Sequence, residues 1–581
     1  MTYDTDVIIV GSGGGGAVAA KELGEMGLST VVLEAGPWYG NKRWPNPNRE
    51  HGDHSSSSLE DLDKDLLKKH LNKNECNMND FVSGRYRWGP ADRSRAPWLR
   101  KMQPNGFVWS VSGVGGTTQK YLANCPRAYP GAIDDVWPIS YRELIPYYEK
   151  VEDTLPVRPA PSTAKEELFY YGAGKAGYSL LNTLNVTGPG YRPQPNAILH
   201  PNERLNNPDY PMERLASDFE GCTLCGHCVN GCPHGPSVEK MAKRPTSVSY
   251  VPLALKTGKV EIRPNTFTTK VLTERDPGEG IRAVGVQFRD TWTGEMGQLT
   301  AGAVVMAAGS IESPRLWMNS GLPLNPWVGK GLTTHWFDYV YGVFDEKDLS
   351  NILGTPSVNP HVGQNSAARF EYPGLGMLQL FGMSPGLFAI NTSFSHAGYS
   401  FLRESDQEEP WNSRGRVVGS ELKDIMTNYR NTLGLLIIAD DEPNQRNGVT
   451  LDPVLKDEHG PVPVVQYYPS EKDRQKRDKL AKIAGEILRN AGARKVMRTD
   501  LSPGLMLHMH STMRMGHVVD SDCEAYQVKR LFVADNSALF NGIGGPNPTL
   551  TTQALATRTA EKLANKYFAT GFVQKVKNYL H

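Results

Sequence analysis

The chain has 581 residues, too many for one small hydrophobic core, so we expect two or more domains. Its 63 basic side chains nearly balance its 62 acidic ones, which gives no reason to expect a nucleic acid or an anionic membrane as partner. No apolar run approaches the roughly 20 residues that span a bilayer. The first apolar run begins at Asp6, and we expect no signal peptide before it. We therefore expect a soluble cytoplasmic protein, although export with a partner subunit stays open.

The N-terminal segment carries the pattern around which the rest of the chain is organised. The apolar run 6–10 leads into the glycine stretch 11–16, and a segment of helix-forming composition follows as far as Met26. A second apolar run, 29–33, then ends on Glu34. This order of strand, glycine turn, helix, strand and acid predicts a dinucleotide-binding unit.

Each glycine of this turn has a predicted task. Gly11 permits the tight turn, Gly13 lets the backbone approach a pyrophosphate, and Gly16 lets the helix pack close to the strand. The start of the helix offers N–H groups and the positive end of its dipole to the phosphates. Glu34 is positioned to accept hydrogen bonds from an adenosine ribose. The predicted cofactor-binding residues here are Gly11, Gly13, Gly14, Gly16 and Glu34.

Further elements follow in chain order. Residues 40–105 are polar and predict an excursion over the surface. Gly113–Thr118 is a second glycine-rich stretch, in which small residues let the backbone approach something flat or charged. Ser140 caps a predicted helix over 141–155, and the residues 184–212, rich in Pro, Asn and Gly, predict a crossing between domains.

The second half of the chain alternates strands and helices. We expect strands at 260–263 and 281–288, and a buried strand over 303–310 with a helix opening at Glu312. Residues 336–470 predict a mainly antiparallel sheet. Towards the end of the chain we expect an amphipathic helix, a short strand ending on an acid, and a long final helix, over residues 473–490, 530–535 and 549–568.

Four of the seven cysteines lie close together and suggest a metal site in a reducing compartment. Cys222, Cys225, Cys228 and Cys232, followed by Pro233, repeat the spacing of bacterial ferredoxins. In an iron–sulfur cluster the fourth ligand is Cys232 or a remote cysteine such as Cys125, or the cluster has three irons. Zinc, metal-free thiols and a disulfide are the alternatives.

At this point the motifs match a known family. The chain resembles the glucose–methanol–choline flavin oxidoreductases over nearly its whole length, and within them the cysteine-bearing bacterial branch. That branch is similar to sterol oxidases, long-chain alcohol oxidases and sugar dehydrogenases, and sugar dehydrogenases use a three-iron cluster to carry electrons away from FAD. The matching stretches are Gly11–Gly16 with Glu34, Gly113–Thr118, Ala307–Pro314, His508–Gly516, Ala534–Ser537 and Asn547–Thr549.

The resemblance implies an α/β fold with two domains. A Rossmann-like FAD-binding domain is assembled from the separated segments 1–50, 221–335 and 500–568. An α+β substrate or cap domain, with a mainly antiparallel sheet over the flavin, comprises 51–220 and 336–499, and 569–581 forms a C-terminal tail. The resemblance also implies FAD, covalent or non-covalent, and it extends the FAD-binding residues to Gly115, Gly116, Thr117, Ala308, Gly309, Asp535, Pro548 and Thr549.

Two positions depart from the family pattern. The family often has Asn where this chain has Tyr121, and Asn124 follows three residues later, which puts a flavin contact there in doubt. The usual Gly of the His-x-x-Gly-Thr motif is Ser511 here.

The resemblance also places a catalytic pair. His508 matches the catalytic histidine of the family, and Asn547 matches a second position that carries His or Asn. Histidine suits a base because its pKa lies near working pH, whereas an amide donates a hydrogen bond to the substrate oxygen but takes no proton. His510 is the weaker candidate for the base.

The predicted function is oxidation of a CH–OH group of an alcohol, sugar or sterol-like substrate by hydride transfer to FAD. Oxygen, a quinone or a partner cytochrome would then accept the electrons. Two other functions remain as alternatives. One is a redox-silent lyase that keeps FAD as a scaffold, and the other is a non-catalytic flavoprotein subunit of an electron-transfer complex.

Overall fold

A computed structural model describes residues 3–47, 50–53, 55–75, 101–103, 107–108, 111–200, 221–222, 224–229, 232, 242–386, 388–389, 392, 419–499 and 505–568. The predicted tail 569–581 and Pro233 lie outside the described residues, as do residues 201–212 of the predicted crossing.

The strands in chain order are β1 Thr5–Val10, β2 Thr30–Leu33, β3 Lys101–Gln103, β4 Phe107–Val108, β5 Arg158–Pro159, β6 Gly190–Pro193, β7 Pro195–Asn196, β8 Val260–Arg263, β9 Thr266–Asp276, β10 Gly280–Asp290, β11 Met296–Met306, β12 Trp336–Val343, β13 Ala368–Tyr372, β14 Gly376–Leu380, β15 Thr432–Ala439, β16 Gly448–Asp457, β17 Gly460–Gln466, β18 Lys495–Thr499, β19 Leu505–Met506 and β20 Leu531–Val533. The α-helices are α1 Gly16–Glu25, α2 Lys64–Glu75, α3 Pro130–Asp134, α4 Tyr141–Thr154, α5 Ala164–Lys175, α6 Tyr250–Lys256, α7 Gly309–Asn319, α8 Glu346–Leu353, α9 Gly419–Thr427, α10 Glu471–Asn490 and α11 Thr549–Tyr567.

The larger sheet has seven strands in the order β8-β2-β1-β11-β10-β9, with β20 beside β11. Strands β8, β2, β1, β11 and β20 pair in parallel, whereas β10 pairs antiparallel with both β11 and β9. The long strand β11 joins the two parts, because its first half pairs with β10 and its second half with β1 and β20. Strands β1, β2 and β20 are mainly apolar and buried, as expected for a sheet covered on both faces.

Helix α1 is buried between this sheet and its neighbours. It packs against α6 and α11, and its residues from Gly16 to Gly24 are all buried. The Gly and Ala content of α1 permits this close approach, since a larger side chain would separate the helix from the strands.

The second sheet has six strands in the order β18-β12-β15-β14-β13-β6, and every neighbouring pair is antiparallel. Helix α10 covers one face by packing on β12 and β15, and α5 packs beside it. Leu480, Ala484 and Ile487 of α10 are fully buried there, which agrees with the predicted amphipathic helix.

Two segments differ in detail from the prediction. Residues 184–212, predicted as a crossing between domains, contain β6, the edge strand of the six-stranded sheet. Backbone pairing with β13 outweighs the turn-forming composition of that segment. The helix predicted from Glu312 begins at Gly309, because the strand before it already ends at Met306.

The two sheets draw on different parts of the chain. The seven strands come from residues 5–33, 260–306 and 531–533, and the six come from 190–193 and 336–499. Among the described helices, none is long and apolar enough to cross a membrane.

Candidate active site

A cavity of about 210 Å³ opens where the parallel strands β1, β2, β11 and β20 end. The crevice beyond the carboxyl ends of parallel strands is where α/β sheets bind ligands. Three of the predicted FAD-binding residues, Gly16, Gly115 and Pro548, do not line this cavity. The predicted residues that line it are Gly11, Gly13, Gly14, Glu34, Gly116, Thr117, Ala308, Gly309, Asp535 and Thr549.

The first glycine turn has the geometry that its sequence predicts. Gly11 has φ +98°, and a Cβ there would lie 2.5 Å from the carbonyl oxygen of Ala307. A Cβ on Gly16 would overlap the carbonyl of Gly11. A Cβ on Gly13 would instead have the Cα of Gly116, 3.9 Å away, as its nearest heavy atom, so this face of Gly13 is open. Gly11 and Gly16 therefore serve the turn and the packing, and Gly13 leaves room for a ligand.

The second glycine stretch rests directly on the first. A Cβ on Gly116 would lie 2.8 Å from the Cα of Gly13. Gly115, with φ +101°, supports the same turn. Gly15 was missed by the sequence analysis, and a Cβ there would overlap the carbonyl of Ala534, next to Asp535. The positions of these glycines along the chain do not reveal such contacts, because the partners are far apart in sequence.

Glu34 lies at the rim of the cavity and accepts several hydrogen bonds there. Its carboxylate accepts hydrogen bonds from the backbone N–H groups of Ser12 at 3.0 Å, Gly36 at 2.8 Å and Gly113 at 2.9 Å. It also accepts one from the hydroxyl of Ser12 at 2.7 Å. Glu34 thus joins both glycine stretches to the end of β2. This role was not predicted, and the predicted contact with a ribose stays a prediction.

Asp535 has a similar role on the opposite side of the cavity. Its carboxylate accepts hydrogen bonds from the N–H of Gly309 at 2.8 Å, the hydroxyl of Ser313 at 2.6 Å and the N–H of Ser537 at 2.7 Å. Burial raises the pKa of Asp535. The carboxylate thus links the start of α7 to the loop after β20.

These residues fit a dinucleotide. No side chain caps the start of α1, and its first turn contains no acid. Helices α1 and α11 both begin at the cavity, where Gly14 and Thr549 line it. Helix N-termini present N–H groups and positive potential, which suit a pyrophosphate. The open face of Gly13 leaves the backbone accessible to that group.

A cluster of three histidines lies at the start of β12. Nδ1 of His335 is 3.2 Å from Nδ1 of His508, and Nε2 of His335 donates to the carbonyl of Gly542. The His335 and His510 rings lie edge to face with centroids 4.8 Å apart. Burial lowers the pKa of His335 to about 4. Burial, with His335 close by, also lowers the pKa of His508 and of His510 well below the usual value.

The two candidate bases, His508 and His510, differ in their exposure to solvent. His508 is partly exposed, whereas His510 is fully buried with its Nδ1 3.3 Å from the hydroxyl of Thr333. His335, which contacts both, was missed by the sequence analysis because no motif surrounds it. Ser511, which replaces the usual glycine of the motif, has φ +71°, so the backbone there keeps a conformation that favours glycine.

Asn547 is buried at the head of α11 and contacts the six-stranded sheet. Its Nδ2 donates to Oε1 of Gln379 at 3.2 Å, and Nε2 of Gln379 donates to Oδ1 of Asn124 at 2.8 Å. Asn124 therefore supports the predicted catalytic Asn547, although it lies three residues from the family position. Tyr121, which occupies that position, donates its hydroxyl to the carbonyl of Arg244 at 2.9 Å.

The four clustered cysteines line a separate pocket of about 10 Å³. Burial raises the pKa of the Cys222 thiol to about 11 and also raises that of Cys228. Lys243 lies beside them and donates to the carbonyls of Gln119 at 2.8 Å, Tyr121 at 3.1 Å and Cys228 at 2.7 Å. Burial lowers the pKa of Lys243 to about 8.

This pocket does not fit the predicted iron–sulfur cluster. None of the four cysteines is in a disulfide, and in the part of the chain that the structure describes no three His, Cys, Asp or Glu side chains are grouped to hold a metal ion. The space among the thiols is about that of a single water molecule. The prediction of a cluster at Cys222, Cys225, Cys228 and Cys232 is therefore not supported.

Comparisons with known proteins agree with this architecture. The 2-methyl-1,2-propanediol dehydrogenase of Mycolicibacterium austroafricanum is 26% identical over 603 residues, covering 97% of this chain and 96% of that protein. The 6'''-hydroxyparomomycin C oxidase of Streptomyces lividus is 26% identical over 592 residues, covering 96% of this chain and 91% of that protein. The crystal structure of pyridoxine 4-oxidase from Mesorbium loti matches with a TM-score of 0.56 at 16% identity, covering 96% of this chain and 99% of that one, and shares the fold.

Two family models of the GMC oxidoreductases match the chain, one over residues 6–337 and the other over residues 443–556. These matches cover more than half of the chain, and they include both glycine stretches, the histidine segment and Asn547. The chain therefore belongs to the GMC oxidoreductase family and is an FAD-dependent oxidoreductase of alcohols or sugars.

Proposed function

We propose that the protein oxidises a CH–OH group of an alcohol, sugar or sterol-like substrate, with His508 as the base that takes the hydroxyl proton. The observation that carries this proposal is the placement of His508, which is partly exposed while its Nδ1 lies 3.2 Å from Nδ1 of His335. The pKa of His508 is held well below the usual value, mainly by burial, so at neutral pH the imidazole is unprotonated and able to accept a proton. Bound FAD supplies the acceptor for the hydride that leaves the carbinol carbon.

Asn547 positions the substrate oxygen in this proposal. One hydrogen of its amide is donated to Gln379, and the second is available for the substrate oxygen. Asn547 cannot act as a base, so the proton is left to His508. His510 contributes no proton transfer with substrate, because it is fully buried and its ring packs edge to face on that of His335.

The cofactor would be held by the residues that line the larger cavity. Gly13 and the start of α1 would face the pyrophosphate, and Glu34 would lie near the adenosine ribose. We also propose the division of the chain into an FAD-binding domain of 1–50, 221–335 and 500–568 and a substrate domain of 51–220 and 336–499. This division is supported by the two larger sheets, because the strands of the seven-stranded sheet all lie in the first set of segments and those of the six-stranded sheet all lie in the second.

The test is anaerobic mixing of the purified yellow protein with a panel of primary alcohols, diols, sugars and sterols. Bleaching of the visible flavin band with formation of a carbonyl product supports oxidation. Product formed with the flavin band unchanged would identify the lyase alternative instead. No reaction with any substrate, in protein that contains FAD, would favour a non-catalytic subunit of an electron-transfer complex.

The electron acceptor is a separate question with its own measurement. Oxygen, a quinone or a partner cytochrome would reoxidise the flavin. After anaerobic reduction by substrate, each acceptor is added in turn and the rate at which the flavin band returns is measured. Fast return with oxygen and release of hydrogen peroxide identifies an oxidase, and return only with a quinone or a cytochrome identifies a dehydrogenase.

A further inference from the structure

The bonds of His335 determine where its single proton lies. Its Nε2 faces the carbonyl oxygen of Gly542, and a carbonyl oxygen only accepts hydrogen bonds. Nε2 of His335 must therefore carry a hydrogen. His335 is fully buried and, with its pKa near 4, is neutral at neutral pH. Its other nitrogen, Nδ1, is consequently a lone-pair acceptor.

That acceptor faces His508. The two Nδ1 atoms are 3.2 Å apart, and the planes of the two rings are 89° apart. A hydrogen bond between two nitrogens needs one hydrogen, which His335 does not supply from this side. The hydrogen must be on Nδ1 of His508. A neutral His508 with its hydrogen on Nδ1 has its lone pair on Nε2.

Around the pair, three charged or titratable groups have contacts that the structure describes. Asp441 accepts the backbone N–H groups of Thr334 and His335, at 2.9 Å and 3.1 Å, and the hydroxyl of Tyr467 at 2.7 Å. It therefore fixes the backbone of His335 and not the imidazole. Arg369 is close enough to help lower the pKa of His335, which keeps this ring neutral. The rings of His510 and His335 lie edge to face, and Nδ1 of His510 is 3.3 Å from the hydroxyl of Thr333.

We propose that His335 is a positioning residue that fixes the tautomer of His508, so that Nε2 of His508 is the atom that takes the substrate proton. The inference rests on the proposed function, in which His508 is the base. When Nε2 takes the proton, the substrate O–H bond breaks and an N–H bond forms on His508. The resulting imidazolium keeps its Nδ1 hydrogen bonded to His335, and a bond from a charged donor is stronger than the neutral one. His335 thus stabilises the charge that develops during proton transfer.

Two substitutions of His335 test this role. His335→Phe keeps a ring of similar shape but provides no acceptor, so the contact that selects the Nδ1-protonated tautomer of His508 is lost. We expect the rate of flavin reduction at saturating substrate to fall by about 10- to 100-fold, with KM little changed, because the lost bond to a charged donor matters in the transition state. His335→Asn places a carbonyl oxygen near the position of Nδ1, and we expect it to restore most of the lost rate. FAD content and Tm of both variants show whether the fold is intact.

A direct measurement reads the tautomer. Protein labelled with 15N-histidine gives separate ring-nitrogen shifts for each tautomer, and the signal absent from His508→Gln identifies His508. We expect a hydrogen on Nδ1 in the wild-type protein and on Nε2 in His335→Phe. A hydrogen on Nε2 of His508 in the wild-type protein would overturn the inference, as would a wild-type rate in His335→Phe. In contrast, a wild-type rate in His508→Gln would overturn the proposed function itself.

Discussion

The side-chain amide of Asn547 donates to Oε1 of Gln379 across 3.2 Å, and this bond joins the segment before α11 to the six-stranded sheet. Gln379 belongs to β14 in the six-stranded sheet, whereas Asn547 precedes α11, which packs with the seven-stranded sheet. Both side chains are buried. The amide that positions the substrate oxygen in our proposal is therefore oriented by the sheet opposite to the cofactor cavity.

Gln379→Leu removes that acceptor while keeping a side chain of similar size. We expect kcat/KM for alcohol oxidation to fall by about 5- to 100-fold, equivalent to about 1–3 kcal/mol for a buried donor without its partner. Gln287→Leu on β10 is the matched control and should leave kcat/KM unchanged. An unchanged kcat/KM in Gln379→Leu, with full FAD content, would mean that this bond does not orient Asn547.

His508→Ala removes the proposed base. We expect alcohol oxidation to fall by about 10²–10⁴-fold, the usual contribution of a positioned base, with little change in FAD content. His517→Ala, nine residues along the same segment and also partly exposed, is the control and should retain activity. Asn547→Ala should be milder than His508→Ala at high pH, because the base remains. Stopped-flow flavin reduction measures all three, and near wild-type turnover in His508→Ala would reject the assignment.

Gly13→Val tests the pyrophosphate site. The nearest heavy atom to a Cβ on Gly13 is the Cα of Gly116 at 3.9 Å, so the added side chain enters the cavity without a close backbone contact, and the protein should fold while FAD is excluded. Gly188→Val is a suitable control, because a Cβ at that position meets nothing within 4 Å and the residue lies outside the cavity. Flavin absorbance per chain and circular dichroism are the measurements. Normal FAD content in Gly13→Val would show that the site is assigned wrongly.

The sequence predicted the parts of this site that depend on local structure. Gly11, Gly13 and Gly16 follow from a turn between neighbouring elements, and the start of α11 follows from its composition. The contact of Gly13 with Gly116 depends on partners that are about a hundred residues apart along the chain. No local pattern encodes such a contact, and the same holds for the bond between His335 and His508. Long-range contacts of this kind arise only when the sheets assemble.

We expect the free energy of unfolding to depend on pH through the protonation of His335. The unfolded chain takes up a proton near pH 6.5, whereas the folded protein resists protonation at this site until about pH 4. The unfolded state therefore binds more protons between these values, and the free energy of unfolding falls as the pH falls through this window. From pH 7 to pH 5 we expect His335 to account for a loss of about 2 kcal/mol.

Urea unfolding of the FAD-containing protein at pH 7 and pH 5 measures this loss. The decrease should be smaller in His335→Phe than in the wild-type protein by about 2 kcal/mol, because phenylalanine takes up no proton. His200→Phe is the control, since His200 is partly exposed. An equal decrease in wild-type protein and His335→Phe would show that His335 is protonated normally in the folded state.

The last prediction concerns the cysteine pocket. The ferredoxin-like spacing of Cys222, Cys225, Cys228 and Cys232 led us to expect a cluster, but the space among their thiols is only about 10 Å³. Burial also raises the pKa of Cys222 and Cys228, so these side chains stay protonated thiols at neutral pH and react slowly with alkylating reagents. We therefore expect Cys222 and Cys228 to become reactive only when the protein unfolds.

Anaerobically prepared protein provides the measurement. We expect iron and acid-labile sulfide below stoichiometric amounts, and thiol titration of the denatured protein should recover all four clustered cysteines. Cys225→Ser should leave both flavin reduction and turnover unchanged, as should the control Cys523→Ser, which alters a buried cysteine elsewhere in the core. Stoichiometric iron and sulfide in the wild-type protein, lost in Cys225→Ser and retained in Cys523→Ser, would restore the cluster. In that case the thiols must move apart to make room for it.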